Sequence, residues 1–590
     1  MYTQFCAGLS RLCLMAAVAL LLAVVLSVQW QVFGRYVLND TPTWAEAVAL
    51  LGVLFVTALG LAVGVRDAGH VGLESMVALL PEAWQRRIEL LIHALVGLFG
   101  ALMCHGGWTL GRRQVGRKKA HAAGTRRHRL CAADHRRRLD RAVLHRAHPG
   151  QPARQRGGAI VELTVLGVSF AALLLLGVPV AFAIGLSSVA TILAAGLPMA
   201  VVFQKMVGGM QVFSFLAIPF FVFAGELMLY GGIAERIVRL ANSLVGHVRG
   251  GLGMSNVLGC TLFGGIVGSP VADVSAMGSV MIPLMKKQGY DADYAVNVTT
   301  HAALVGALMP TSHNLILFTL ATSGIASVSV MGLILAGVLP ALLLTLCNLG
   351  AAWWVARRRG YATQGEFPGW AAVAVAFAAS LPGLLVVAII LGGILSGLFT
   401  ATESAAVAVG WALLVTVGVY RSLSWAHFLK ACAKACKTTG VVLLLIGISA
   451  AFGYFLALYE VPQKTGALMQ SLSSDPWVIF LLINVLLFVL GTFLDMAPTI
   501  LICTPIFLPI AQQFGMDPLQ FGIVMLINCA LGLNTPPVGT VQFVGCAIGG
   551  ISVGQVMRSI WPFYGAMGLC LALVTYVPAF STWLPALMLK

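Results

Sequence analysis

Charge is scarce in this chain: of 590 residues only 9% are Asp, Glu, Lys or Arg, and 20 are acidic. Ordinary soluble domains carry about 25% charged residues, so this composition excludes a surface wrapped in water. Metal-ligand and disulfide patterns are missing too. The 12 cysteines are scattered, mostly in apolar segments, with no CxxC and no Cys/His cluster at ligand spacing. Cys432 and Cys436 sit one helical turn apart, but two thiols do not make a zinc site, and they read as buried structural groups. No GxxxxGK(S/T) phosphate loop occurs, and the GxG-like clusters fall in apolar helix contexts that helix packing explains. No HExxH string or nucleophile–base pair accompanies the ionisable residues, so an integral membrane enzyme has no machinery to point to.

What is abundant is hydrophobic sequence, 59% of residues. Apolar runs long enough to cross ~30 Å of hydrocarbon, about 20 residues each, recur from near residue 12 to near residue 588. Such runs are too long for the alternating strands of a barrel, and helices satisfy their own backbone in lipid. The expectation is an all-α polytopic membrane protein surrounded by lipid. Leu12 to Val32 has no small-residue cleavage pattern and reads as a retained helix. Ala45 to Val65 and Leu90 to Leu110 are the next spans, with a surface helix expected to begin at Pro81 between them. Arg35, Asp40, Trp44 and Glu46 cluster where the first two spans meet the interface.

The net charge of +16 looks like a nucleic-acid signal until it is located. Between Arg112 and Arg156 stand thirteen Arg and two Lys against Asp134 and Asp140, a balance of +13, with five His. The rest is nearly neutral, so no nucleic-acid partner is expected. This stretch has too little apolar content to fold and reads as a basic linker. It divides the chain into residues 1–110, a basic segment 111–158, and residues 159–590.

The last block contains an internal repeat. Shifted by 226 positions, Gly265 falls on Gly491, Pro283 on Pro509, Gly289 on Gly515, Asp291 on Asp517, Gly306 on Gly532 and Pro310 on Pro536, without a gap. Paired hydrophobic segments interrupted by Gly and Pro at matching positions point to an inverted-repeat transporter with its site between the halves, about 161–355 and 370–590. A channel fits less well, because broken repeats favour alternating access over a continuous pore.

Gly268, Ser269 and Pro270 cannot continue a helix through their apolar run, because Pro270 lacks a backbone donor and Gly268 permits unusual backbone. A re-entrant helical hairpin is expected, its tip offering free carbonyls and the Ser269 hydroxyl to a small cation. The second tip includes Gly491, Thr492 and Asp495. Each hairpin is followed by a discontinuous helix, broken at Pro310-Thr311-Ser312-His313-Asn314 and at Asn534-Thr535-Pro536-Pro537-Val538-Gly539. Charge at membrane depth needs a cation, a partner or water. Asp495 and Asp273 therefore join the candidates, although Asp273 has an equally good reading as a local cap. Thr400, Thr402 and Glu403 either cap a helix or contribute to the central site.

Two resemblances carry these readings further. VFGRYVLNDTPTWAE from Val32, with Gly60 and the basic turn Arg66 to His70, resembles the small membrane subunit of TRAP transporters, the tripartite ATP-independent periplasmic family. LFGGIVGSPVADVSAMGSVMIPLMKKQGYD from Leu262, LVGALMPTSHN from Leu304, SGLFTATESAAVAVG from Ser396, LGTFLDMAPTILICTPIFLPIAQQFGMDP from Leu490 and GLNTPPVGT from Gly532 resemble its large membrane subunit. The resemblance implies uptake of an organic acid across the bacterial inner membrane, driven by sodium at some of the candidate residues and fed by a periplasmic substrate-binding protein. It implies an elevator-like motion and no cofactor beyond coupling ions. C4-dicarboxylates, other carboxylates and sialic acid are the family's substrate types. Thr311 and His313 depart from the family's double proline, so His313 either tunes the substrate or is a tolerated variant, and a proton role for it stays open. The small subunit's fourth helix is replaced by the basic segment, and three crossings from a cytoplasmic N-terminus would put that segment outside, against the positive-inside rule. An out-of-frame stretch from about 112 to 158, with a large subunit starting near Val161, is the expectation, and a non-functional product is one consequence. A sodium-coupled carboxylate symporter without a binding protein is the alternative, but it leaves the first 110 residues unexplained.

Overall fold

The computed structural model describes residues 2–66, 81–122, 154–363 and 365–589. Every regular element among them is a helix. Nine described helices are long and apolar enough to cross a membrane, and up to 12 spans result if each sharply bent pair counts as one. The described residues form an all-helical, multi-pass membrane protein. They fall into two compact units, Met1–Val71 with Met210–Ile446 and Val461–Lys590, and Gly72–Gly209 with Gly447–Glu460.

The smaller unit corrects two expectations. The surface helix and the third span are one helix, Glu82–Ala122, whose first turn closes as Trp84 and Gln85 donate to the Pro81 carbonyl. That helix also runs through Arg112 to Lys119, so the start of the basic segment is helical rather than unfolded. Continuing a nucleated helix costs little, and Arg, Lys, Gln and Ala all favour helix. A further helix, Arg154–Leu175, begins before the segment ends. Residues 123–153 lie outside the described residues. Within the unit, Gly185 and Gly106 leave room for the rings of Phe99 and Phe203, and Phe99 meets Phe182 edge-on at 5.8 Å.

The larger unit holds the repeat, and the 226-residue shift reproduces its helix ends. Its first copy comprises Gly251–Val267, Pro270–Lys287, Ala292–Ala303 with a tight turn Leu304–Leu308, and His313–Ala321. Adding 226 to 251, 270, 292 and 313 gives 477, 496, 518 and 539; the observed helices are Pro476–Phe493, Met496–Gln513, Pro518–Leu533 and Thr540–Gly549. Each copy is thus two helices packed together across a two-residue break, then a helix broken in mid-course. The first broken helix bends by 51°.

The matched residues now have physical causes. Gly289 and Gly515 follow the second arms with φ +83° and +89°, a left-handed backbone that costs glycine little. Asp517 caps the next helix by accepting from the Leu519 amide at 2.8 Å. Asp291, in the matching place, instead receives Arg359 at 2.9 Å and the Tyr361 hydroxyl at 2.7 Å. Burial, together with the Asp291 hydrogen bond, pushes the Tyr361 phenol up to about 12. Gly532 lies on the backbone of Gly491, where an added Cβ would come within 2.8 Å of the Gly491 Cα, and Gly306 packs likewise on Gly264. These contacts hold each broken helix against its own hairpin. The copies also exchange partners: His313–Ala321 packs on Met496–Gln513, and Thr540–Gly549 packs on Pro270–Lys287. Such reciprocal packing is what a pseudo-two-fold axis between inverted repeats produces.

Candidate functional site: the paired helix breaks

The first tip is Gly268 and Ser269. Gly268 has φ +66° and ends its helix by donating to the Gly264 carbonyl. Any side chain there would collide with Thr311 and Ser312 of the broken helix, since a Cβ would lie 2.5 Å from the Thr311 carbonyl carbon. Ser269 is extended, and Pro270 starts the second arm, where its missing donor costs nothing. Pro310 stands in the break itself. Thr311 donates its hydroxyl to the Gly265 carbonyl at 3.1 Å, and Ser312 accepts from the Asn314 amide at the next helix start. Asn314 then crosses to the other copy, its amide 3.6 Å from the Met496 sulfur. The first break and the second tip are therefore neighbours.

The second tip is Leu494 and Asp495; Gly491 and Thr492, expected at the tip, instead lie in the last turn of the first arm, where Gly491 keeps a negative φ and the helix runs on to Phe493. The Val538 amide donates to the Thr492 carbonyl at 3.2 Å, tying the second break to that arm. The Pro536–Pro537 bond is cis, and Gly539 takes φ +38° before the last helix. Thr535 shares a hydrogen bond with Tyr564 at 2.9 Å, and Tyr564 also donates to the Asn534 carbonyl at 3.0 Å. Asn534 is fully buried, and neither atom of its side-chain amide has a hydrogen-bond partner among the described residues. A buried amide left without partners costs about 1–3 kcal/mol. His313 is half-buried at its helix start. Asp273 is fully buried beside Cys260 and Gly264, one turn into the second arm. Among the described residues no group of three or more His, Cys, Asp and Glu could hold a metal. Any cation here would rest on neutral oxygens and single carboxylates, which are hard donors.

Sequence reading missed a second polar layer. Asn297, Thr299, Thr300 and His301 sit almost consecutively in the first broken helix, and all four are fully buried. Asn297 donates to the Val556 carbonyl at 3.0 Å, Thr299 accepts from Asn256 at 2.6 Å, and Thr300 donates to Gln542 at 3.4 Å. The signal was available: Asn-Val-Thr-Thr-His is a polar run inside an apolar span, and such residues in a membrane face the interior for a reason.

Residues 167–580 match the family described as "Tripartite ATP-independent periplasmic transporter, DctM component", and residues 24–126 match "Tripartite ATP-independent periplasmic transporters, DctQ component". The chain belongs to this family. Both membrane components of a tripartite ATP-independent periplasmic transporter are represented in one polypeptide. It is 43% identical over 431 residues to "Uncharacterized protein YgiK" of Salmonella typhimurium, covering 72% of this chain and 98% of that protein. It is 35% identical over 421 residues to "Isethionate TRAP transporter permease protein DctMQ" of Oleidesulfovibrio alaskensis, covering 71% and 66%. It is 33% identical over 428 residues to "C4-dicarboxylate TRAP transporter large permease protein DctM" of Rhodobacter capsulatus, covering 71% and 97%.

Within this TRAP permease, Thr400, Thr402 and Glu403 lie where the two matched portions join. Thr400 and Glu403 form a capping box, with the Thr400 amide donating to Glu403 at 2.8 Å. The other Glu403 oxygen takes Arg35 at 2.8 Å, and Tyr36 bonds both Glu403 and the Leu398 carbonyl. Thr402 is buried on the same helix. Further along, Gly60 of Thr43–Arg66 packs against Cys436 and Gly440 of Trp425–Leu458. Small residues at such crossings let helix backbones touch, which is how membrane helices gain packing energy.

Proposed function

We propose that this chain is the permease of a sodium-driven, binding-protein-dependent carrier that brings an organic acid inward across a bacterial inner membrane. The observation that carries this reading is the reciprocal packing of the two copies, which gathers both tips and both breaks into one region of the larger unit. Each break leaves backbone and side-chain oxygens free of helix bonding, and two matched sets of them give a site that two alternating states can share. Sodium is assigned to the tips and breaks, at oxygens drawn from Gly268, Ser269, Thr311, Ser312, Thr492, Asp495, Asn534 and Thr535. Pro270, Pro310, Pro536, Pro537, Gly491 and Gly539 shape the backbone that presents them. Two relatives named for a dicarboxylate and for isethionate support a small carboxylate or sulfonate as the substrate.

Alternating access follows as an elevator-like movement of the paired hairpins and broken helices against a support that includes Tyr2–Phe33 and Thr43–Arg66. Sodium bound at both tips favours capture of the anion, and its release on the other side frees the cargo. The test is uptake by proteoliposomes holding the full chain, with succinate, malate and isethionate as probes and a binding protein encoded beside the gene. Uptake that requires both an inward sodium gradient and the binding protein is expected. Uptake indifferent to sodium would overturn the coupling, and full uptake without the binding protein would favour an independent symporter.

A further inference from the structure

His301 occupies an unusual position: fully buried, in the middle of the first broken helix, beside the second break. Its Nδ1 lies 2.9 Å from the Asn297 carbonyl. A carbonyl only accepts, so Nδ1 carries the proton and, in the neutral ring, Nε2 presents a lone pair. Among the described residues Nε2 has no hydrogen-bond partner. The ring is held by packing, 5.3 Å from Phe563 and 5.7 Å from Tyr564, and Tyr564 bonds the Asn534 carbonyl. The adjacent Thr300 donates to Gln542 Oε1, which leaves the Gln542 Nε2 donors buried and without a partner. The Asn534 amide is in the same condition.

Two free amide donors and one free imidazole acceptor thus stand around a single helix break. An anion of the carboxylate or sulfonate kind is served by the amide donors, but nothing in a plain carboxylate can donate to Nε2. A substrate hydroxyl can. We propose that His301, with Gln542 and Asn534, forms a subsite that reads a hydroxyl group on the transported organic acid, the hydroxyl donating to His301 Nε2 while the amides of Gln542 and Asn534 take the acid group. The cargo is therefore a hydroxylated acid rather than its deoxy counterpart. This rests on the organic-acid reading above and adds to it which acids are selected.

Discrimination of this kind comes from the buried polar group left unpaired by the wrong substrate. A preference of about tenfold or more for the hydroxylated member of a matched pair is expected. The experiment measures ligand-induced thermal stabilisation of the full chain in lipid nanodiscs with two such pairs, malate against succinate and isethionate against ethanesulfonate. His301→Phe fills the same space between the two rings without an acceptor and should abolish the preference. His301→Gln places a carbonyl oxygen near the Nε2 position and should restore most of it. Gln542→Leu should weaken both members of a pair alike. Equal stabilisation by both members in the natural protein, or an unchanged ratio in His301→Phe, would overturn the subsite while leaving organic-acid transport standing. Should His301→Phe not fold, the natural ratio and the response of Gln542→Leu still decide the matter. No stabilisation by any of the four acids would overturn this inference and the substrate reading together.

Discussion

Replacing Gly440 by alanine tests the crossing between the two matched portions of the chain. A Cβ at Gly440 would lie 2.6 Å from the Leu61 nitrogen, 2.9 Å from the Gly60 carbonyl carbon and 3.1 Å from the Thr57 oxygen. Comfortable contacts begin near 3.5 Å, so the helices must part by roughly 0.5–1 Å. All three obstacles are backbone, so no side chain can turn aside. Overpacking of this kind costs about 1–3 kcal/mol, against a gain of about 1 kcal/mol from replacing glycine inside a helix. Gly64→Ala is the control: it sits one turn on in the same crossing helix as Gly60, and its nearest obstacle is a Val441 methyl group at an ordinary 3.6 Å. The helix gain is common to both variants, so their difference isolates the clash at about 1–3 kcal/mol. Thermal unfolding of the two purified full-length variants, followed by tryptophan fluorescence, reads it directly. Gly440→Ala is expected to melt below the natural chain and Gly64→Ala at or above it. If Gly440→Ala melts as high as Gly64→Ala, the two helices do not cross at this point.

Three other outcomes are expected. Gly532→Ala pushes a methyl group onto the Gly491 backbone and should destabilise the second repeat by about 1–3 kcal/mol, read as a lower melting temperature; an unaltered melt would count against the hairpin contact. Ser269→Ala and Asn534→Ala should each raise the sodium concentration for half-maximal uptake, by about tenfold if one ligand is lost, and unchanged sodium activation would remove that residue from the sites. Sequencing DNA and transcript across codons 105 to 165 should reveal a shifted frame within the basic segment; an intact frame would make it authentic sequence.

Much of the architecture was legible because membrane helices announce themselves by length and composition, and because helix ends have chemical signatures. Gly289, Gly515 and Asp517 are cap residues, so a shift that aligned letters also aligned helices. The matched letters do not always share a role: Asp517 caps its helix, whereas Asp291 is held by Arg359 and Tyr361 from beyond the end of Val330–Arg358. Composition also failed at residues 111–122, where a polar tail stays helical because the apolar helix before it has already met the cost of nucleation.

The sequence alone determined the class of protein, the two copies of the repeat and roughly where the helices break, because these depend on local backbone chemistry and on the length needed to cross lipid. It left open what each candidate side chain touches. Only the tertiary structure decided that Glu403 is committed to Thr400 and Arg35, and that Asn314 reaches Met496 in the other copy. It alone placed His301 and Gln542 beside the second break. These pairs lie 182 to 368 residues apart in the chain where they cross between segments. The contacts of Asn314, His301 and Gln542 follow from the reciprocal packing of the two repeat copies, and that of Glu403 from the packing of Ala401–Leu413 beside Gly34–Leu38; no local pattern along one segment carries that information.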